Sequence, residues 1–170
     1  MGKSSIILVI TGTSLYRFDR LIKEMDNIAK KNDEEVIIQT GHISYKIQNA
    51  NHFIFLPDEK FTKLYESARL IISHAGIGSI ITALRNNKPL IIVPRMKKYG
   101  EHLDDHQLEI AGEIEKEGRA TVVYDVRNLE KLIKSGHIYY GIGFNKEKTI
   151  LIEKLGRYLI ELKNELNIRG

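Results

Sequence analysis

Six short runs of aliphatic residues, rich in Ile and Val, recur along this chain with helical periods among them, and this alternation limits the fold more than any other feature. The runs are Ser5–Ile10, Glu35–Gln39, His52–Leu56, Leu70–Ser73, Leu90–Val93 and Ala120–Tyr124. They are short, and most are continuously apolar, so they predict strands covered on both faces, as in a parallel sheet. Phe18, Leu21, Ile22, Met25, Ile28 and Ala29 fall on one helical face. Phe61, Leu64, Tyr65 and Ala68 do the same behind a predicted N-cap at Asp58. Ile80, Ile81 and Leu84 predict a helix that opens at Gly76 and stops before Pro89. Leu103, Gln107, Ile110, Ala111 and Ile114 predict another, closed by Gly118, and Leu129, Leu132 and Ile133 a short one ending at Gly136. A last helix is predicted over residues 146–166, with Leu151, Leu155, Tyr158, Leu159, Leu162 and Leu166 in register, after a loop over His137–Asn145.

Strand–helix alternation of this kind predicts an α/β fold, a Rossmann-like doubly wound parallel sheet with helices on both faces. With 170 residues and no internal repeat, the expectation is a single domain over 1–170. The chain has no cysteine, so disulfides and thiolate metal sites are excluded. The longest early apolar run, Ile6–Ile10, is too short for a signal-peptide core or a membrane span, which predicts a cytoplasmic chain. A net charge of +4 suits anionic ligands and is too weak to argue nucleic acid.

Ligands of such sheets bind at the carboxyl ends of the strands. Three segments therefore stand out: Thr11–Ser14, Ser73–Ser79 and Pro94–Gln107. In Ser73-His74-Ala75-Gly76-Ile77-Gly78-Ser79, a buried strand passes through two glycines into a helix. Glycines allow close backbone approach, and a helix start offers unpaired N–H groups and a positive dipole end, the makings of a pyrophosphate site. A strand–helix turn used only for packing would look similar. The dinucleotide fingerprint fails, because Ile81 stands where its third glycine belongs and Arg95 ends the next strand where an acidic ribose ligand is needed. A P-loop at Gly2-Lys3-Ser4 fails too, since it precedes the first strand and has no upstream glycine.

The third segment follows a basic stretch, Arg85 to Lys98, and reads Glu101-His102-Leu103-Asp104-Asp105-His106-Gln107. If this opens a helix, His102 and His106 share a face with Asp105 beside it. Such a face can bond sugar hydroxyls through imidazole, carboxylate and amide, or hold a metal through two histidines one turn apart. The zincin pattern is broken by Leu103 at the place of its general base. A solvated helix start is the bland alternative.

Together, Ser73–Ile80, Lys88–Arg95 and Glu101–Gln107 resemble the C-terminal domain of GT-B glycosyltransferases of the peptidoglycan N-acetylglucosaminyltransferase (MurG) type. The resemblance extends over the opening Thr11-Gly12-Thr13 turn and Phe18-Asp19. It is strongest to free-standing half-enzymes, such as the catalytic subunit of the dolichol-pathway N-acetylglucosaminyltransferase and bacterial capsule and exopolysaccharide subunits.

The resemblance implies that Gly76, Ile77, Gly78 and Ser79 hold a UDP diphosphate through backbone N–H groups, with Gly12, Thr13 and His74 beside the donor. His74 is a candidate polar partner for developing charge and is not assigned as the base. His106 and Gln107 would bond donor-sugar hydroxyls, Asp105 would support them, and Arg95 would lie near the nucleotide. Thr82 stands where many members carry an acidic ribose ligand. The implied activity is inverting, metal-independent transfer of an N-acetylglucosaminyl, galactosyl or glucuronosyl unit from a UDP-sugar to a polyprenyl-linked acceptor. It needs no cofactor. A membrane-anchored partner subunit would supply the acceptor site and the base, and the C-terminal helix would help to dock it. Two other classes stay open: a non-catalytic nucleotide-sugar-binding subunit, and a metal-dependent hydrolase built on His74, His102 and His106.

Overall fold

The computed structural model describes residues 5–138, together with Glu153, Gly156, Arg157 and Ile160 in helical conformation. Strands β1 (Ile6–Ile10), β2 (Glu35–Gln39), β3 (Asn51–Phe53), β4 (Ala68–Ser73), β5 (Leu90–Ile92) and β6 (Thr121–Val122) form one sheet in the order β3-β2-β1-β4-β5-β6. Every pairing is parallel. The helices are α1 (Asp19–Ala29), α2 (Asp58–Ser67), α3 (Ile77–Arg85), α4 (His106–Lys116) and α5 (Leu129–Ser135). Short 3-10 turns occupy Lys97–Tyr99 and Val126–Asn128.

Side chains alternate across a strand, so each strand feeds two cores. Ile7 and Val9 join Val36, Ile38, Leu70, Ile72 and Ile91 on the face covered by Leu21, Ile22 and Met25 of α1 and Leu129 and Ile133 of α5. Leu8 and Ile10 join Ile71, Leu90 and Ile92 on the other face, under Tyr65 of α2, Ile80 and Leu84 of α3, and Ile110 and Ile114 of α4. Each such side chain stabilises the fold by about 1.5–3 kcal/mol relative to exposure. β1, β4 and β5 are buried on both faces, which is why their runs are continuous rather than alternating.

The chain winds outward from β1 to β3, returns to β4 beside β1, and winds outward again to β6. The loops after β1 and β4 therefore diverge and leave a crevice between them at the carboxyl edge. The predicted class holds: a doubly wound, Rossmann-like parallel sheet.

Several boundaries differ from expectation. Asp58 is the first helical residue and Pro57 holds the N-cap position. Asp58 and Glu59 favour the helix start through the dipole instead. Ala68 ends α2 and opens β4 without a loop, because its extended backbone pairs with Ile6. The Lys88 ammonium donates to the Glu66 and Ala68 carbonyls and caps that abrupt end.

The largest change concerns α4, which starts at His106 rather than near Glu101. Its first N–H is taken by Asp104 Oδ1 at 3.1 Å, while Glu101 is drawn away to Arg20 of α1. Leu103, expected on the buried helix face, is 70% exposed. The predicted terminal helix and its leucine stripe lie outside the described residues, apart from the four helical residues named above, as do most of His137–Asn145 and Gly2-Lys3-Ser4. Among the described residues, no helix is long and apolar enough to cross a membrane.

Candidate functional site

The crevice is built where the β1 and β4 loops part. The His74 backbone N–H donates to the Ile10 carbonyl at 3.0 Å, which extends the β1–β4 pairing one step past the strands. The His74 ring Nδ1 reaches the same carbonyl at 3.3 Å. Burial, and then the charge of Arg95, push the imidazole pKa down to about 4. The ring is therefore neutral near pH 7. Its bond to Ile10 assigns the proton to Nδ1 and leaves the Nε2 lone pair as an acceptor.

The ring also explains two glycines. A Cβ on Gly76 would lie 2.1 Å from His74 Nε2, and one on Gly12 would lie 2.8 Å from it. Gly12 further needs its positive φ of 78°, and its N–H donates to Gln39 Oε1 at 3.3 Å. Both positions are thus fixed by the protein's own packing. Gly78 differs: it is exposed, and a Cβ there would meet nothing within 4 Å. Glycine in a helix costs roughly 1 kcal/mol relative to alanine. No contact inside the chain accounts for that cost at Gly78.

Gly78 lies in the first turn of α3, whose N-cap residue is Gly76 and which has no side-chain cap. An uncapped helix start presents backbone N–H groups to whatever enters the crevice. The space in front is a cleft of about 360 Å³ lined by Gly12, Thr13, Gln39, Phe61, Tyr65, His74, Gly76, Gly78, Ser79 and Thr82. Ile77 turns away and is buried in the core below α3, so its side chain packs while its backbone belongs to the turn. The Thr82 hydroxyl donates to the Gly78 carbonyl at 2.9 Å.

The Pro94–Gln107 segment packs beside this turn. Gln107 is buried, and its Oε1 accepts from the backbone N–H of Ala75 at 3.2 Å and of Arg95 at 3.1 Å. Its carboxamide oxygen thereby joins the glycine turn to the end of β5, and its amide nitrogen, Nε2, carries the side chain's donors. Arg95 follows β5 at the same edge of the sheet. It is buried, and its guanidinium donates to the carbonyls of Thr11, Tyr16, Arg17 and Glu101 at 2.8–3.2 Å while resting 4.7 Å from the Phe18 ring centroid. Arg95 is thereby a scaffold for the loops around the crevice. Burial lowers its pKa to about 10, which still leaves it charged near pH 7.

Asp105 accepts from the Lys97 N–H at 2.9 Å and so braces its own loop rather than His106 or Gln107. His106 is half-buried at the start of α4, with its Nδ1 3.7 Å from Glu109. His102 lies in the bend before α4, with Nδ1 2.9 Å from Asp104 Oδ1. Because α4 begins at His106, the two histidines do not share a helix face. Among the described residues, no group of three or more His, Asp and Glu side chains is placed to hold a metal. Within the basic stretch, Lys88 and Arg95 are committed to backbone carbonyls, so fewer of its charges face outward than its composition suggests.

Three cleft residues escaped the sequence reading. Phe61 and Tyr65 registered only as an apolar helix face, although the phenol tip of Tyr65 was a signal. Gln39 registered as the last strand residue, and a polar side chain at a strand's carboxyl end was the signal there. Also unforeseen was the pair Arg20–Glu101, joined by two 2.9 Å bonds that tie α1 to the Pro94–Gln107 loop.

Residues 6–137 match the glycosyltransferase family 28 C-terminal domain. Over 91 residues, 54% of this chain, the sequence is 36% identical to UDP-N-acetylglucosamine transferase subunit ALG13 of Candida albicans. The matched stretch is 29% of that relative's length, so this chain spans well under two thirds of it. The solution structure of an ALG13 superposes with a TM-score of 0.59 at 19% identity, covering 88% of this chain and 95% of that one. The crystal structure of Acinetobacter baumannii MurG gives 0.58 at 15% identity, covering 92% of this chain and 51% of that one. At those identities the two structures establish the fold.

Proposed function

The chain belongs to the glycosyltransferase family 28 C-terminal domain family, and we propose that it is the donor-binding catalytic half of a UDP-sugar glycosyltransferase. One observation carries this reading. Gly12 and Gly76 are accounted for by His74, whereas Gly78 leaves open space at an uncapped helix start facing the cleft. That opening suits a diphosphate, whose oxygens would accept from the first N–H groups of α3.

In the reaction proposed, an acceptor hydroxyl attacks the anomeric carbon from the face opposite UDP. A bond forms from the acceptor oxygen to that carbon, and the bond from the carbon to the UDP oxygen breaks with inversion. The hydroxyl proton passes to a base on the partner subunit. The electron pair leaves on the diphosphate, where the α3 N–H groups stabilise it electrostatically without a metal. His74 lines the cleft beside the leaving group; with its proton on Nδ1 it shapes the turn and can only accept through Nε2, so charge stabilisation falls to the α3 N–H groups. Gln107 Nε2 and the His106 ring read hydroxyls of the transferred sugar, an N-acetylglucosaminyl, galactosyl or glucuronosyl unit.

The partner proposed is a membrane-anchored subunit that presents a polyprenyl-linked acceptor and holds this chain at the cytoplasmic face. The name of the Candida albicans relative, a transferase subunit, supports a partner subunit. The test is UDP release from UDP-sugars by the purified chain, with and without membranes containing a co-expressed partner and a lipid-linked acceptor. Activity only in the combined sample is expected. Full activity from the chain alone would sink the half-enzyme reading.

A further inference from the structure

The cleft contains a buried polar group that the reading above leaves unused. Tyr65 of α2 is 1% exposed and lines the cleft together with Ser79 and Thr82 of α3. Its ring is held by an edge-on contact with Phe61, at 5.1 Å between centroids and 74° between planes. Its hydroxyl is buried with no hydrogen-bond partner. Burial pushes the phenol pKa well up, against a smaller lowering by a hydrogen-bonding interaction with the nearby Ser79 side chain, whose placement falls short of a full hydrogen bond to the Tyr65 hydroxyl. The phenol stays protonated and is a donor.

An unpaired buried hydroxyl destabilises a fold, and phenylalanine would fill the same space without that cost. The Thr82 hydroxyl on the same wall is already committed to Gly78. Tyr65 therefore has the properties of a group whose partner arrives with the ligand. We infer that Tyr65 is a donor-recognition residue whose hydroxyl donates to an oxygen of the bound nucleoside diphosphate beneath the first turn of α3. This rests on the proposed UDP-binding role of the cleft and assigns it a residue from a different helix.

The experiment combines calorimetric titration of UDP into the wild-type chain and Tyr65→Phe with thermal melts of both without ligand. The unliganded variant should melt at the same temperature or higher. Its UDP affinity should fall about five- to tenfold, as expected for one lost hydrogen bond to a charged acceptor. Unchanged affinity in Tyr65→Phe would overturn the assignment while leaving the cleft's role intact. A lower melting temperature alongside weaker binding would also overturn it, by making the hydroxyl a structural support. Absence of UDP binding in the wild type would remove the functional reading itself, and the assignment with it.

Discussion

Gln107 Oε1 accepts from the backbone N–H of Ala75, in the glycine turn, at 3.2 Å, and the same oxygen takes the Arg95 N–H at 3.1 Å. The residue is thus structural through its oxygen, and the proposed contact with a sugar falls to its amide nitrogen, Nε2. Gln107→Glu separates the two roles, because a carboxylate still accepts both N–H groups but donates nothing. The variant should remain folded, with affinity for UDP-sugar falling several-fold more than affinity for UDP. Competition titrations measure that ratio. Equal weakening of both ligands would remove Gln107 from sugar recognition.

The His74 ring and Gly76 are complementary, so adding a Cβ at 76 should be costly only while the ring is present. Gly76→Ala should destabilise the chain by about 1–3 kcal/mol through overpacking. The double variant with His74→Ala should recover much of that loss. Urea denaturation of the four species forms a double-mutant cycle, and purely additive effects would contradict the packing account.

His74 also gives stability a pH dependence. Its folded pKa, about 4, is depressed from an ordinary value of 6.5. The unfolded chain therefore binds more protons between those values. The stabilisation from keeping this ring neutral is fully present above about pH 6.5 and is lost as pH falls toward 4. Urea midpoints should decline over that window in the wild type and decline less in His74→Asn. Identical slopes would mean that the ring titrates normally.

Asp26 is a fully buried carboxylate on α1 that organises the loop before β3. It accepts from the Tyr45 hydroxyl at 2.7 Å and from the N–H groups of Gln48, Asn49 and Ala50 at 3.1, 2.7 and 2.9 Å. Burial pushes its pKa up, but these donors together bring it below 3.8. Its contribution is present above that value and is lost as pH falls further. Asp26→Asn should cost about 2–3 kcal/mol and speed hydrogen exchange at residues 48–50. Unchanged exchange there would show that the loop is held by other contacts.

The parts of this fold that sequence made legible are those set by short-range pattern. β1 and β2 emerge within one residue of expectation because continuous Ile and Val runs have few alternatives to a doubly covered strand. The Ser73–Ser79 turn was legible for the same reason, being a strand end, two glycines and a helix start in series. What failed depended on distant partners. Leu103 fits a helical period, but Glu101 is held by Arg20, 81 residues earlier, and α4 starts only after that anchor. The burial of Arg95 had no local signal, because the carbonyls that hold it come from a loop roughly 80 residues away in sequence. Asp26 and Tyr65 had no local signal beyond a polar atom on an apolar face.

The most direct test of the central claim, that a nucleoside diphosphate sits against the open start of α3, is calorimetric titration of UDP into the wild type and Gly78→Val. A Cβ at this position meets nothing within 4 Å, so the unliganded variant should fold normally, which circular dichroism and a melt would check. The branched side chain would occupy the space through which the phosphates approach the N–H groups. The account predicts saturable UDP binding to the wild type and at least tenfold weaker binding to the folded variant, a loss of about 1.4 kcal/mol or more. Equal UDP affinity in the two proteins would place the nucleotide elsewhere and contradict the account.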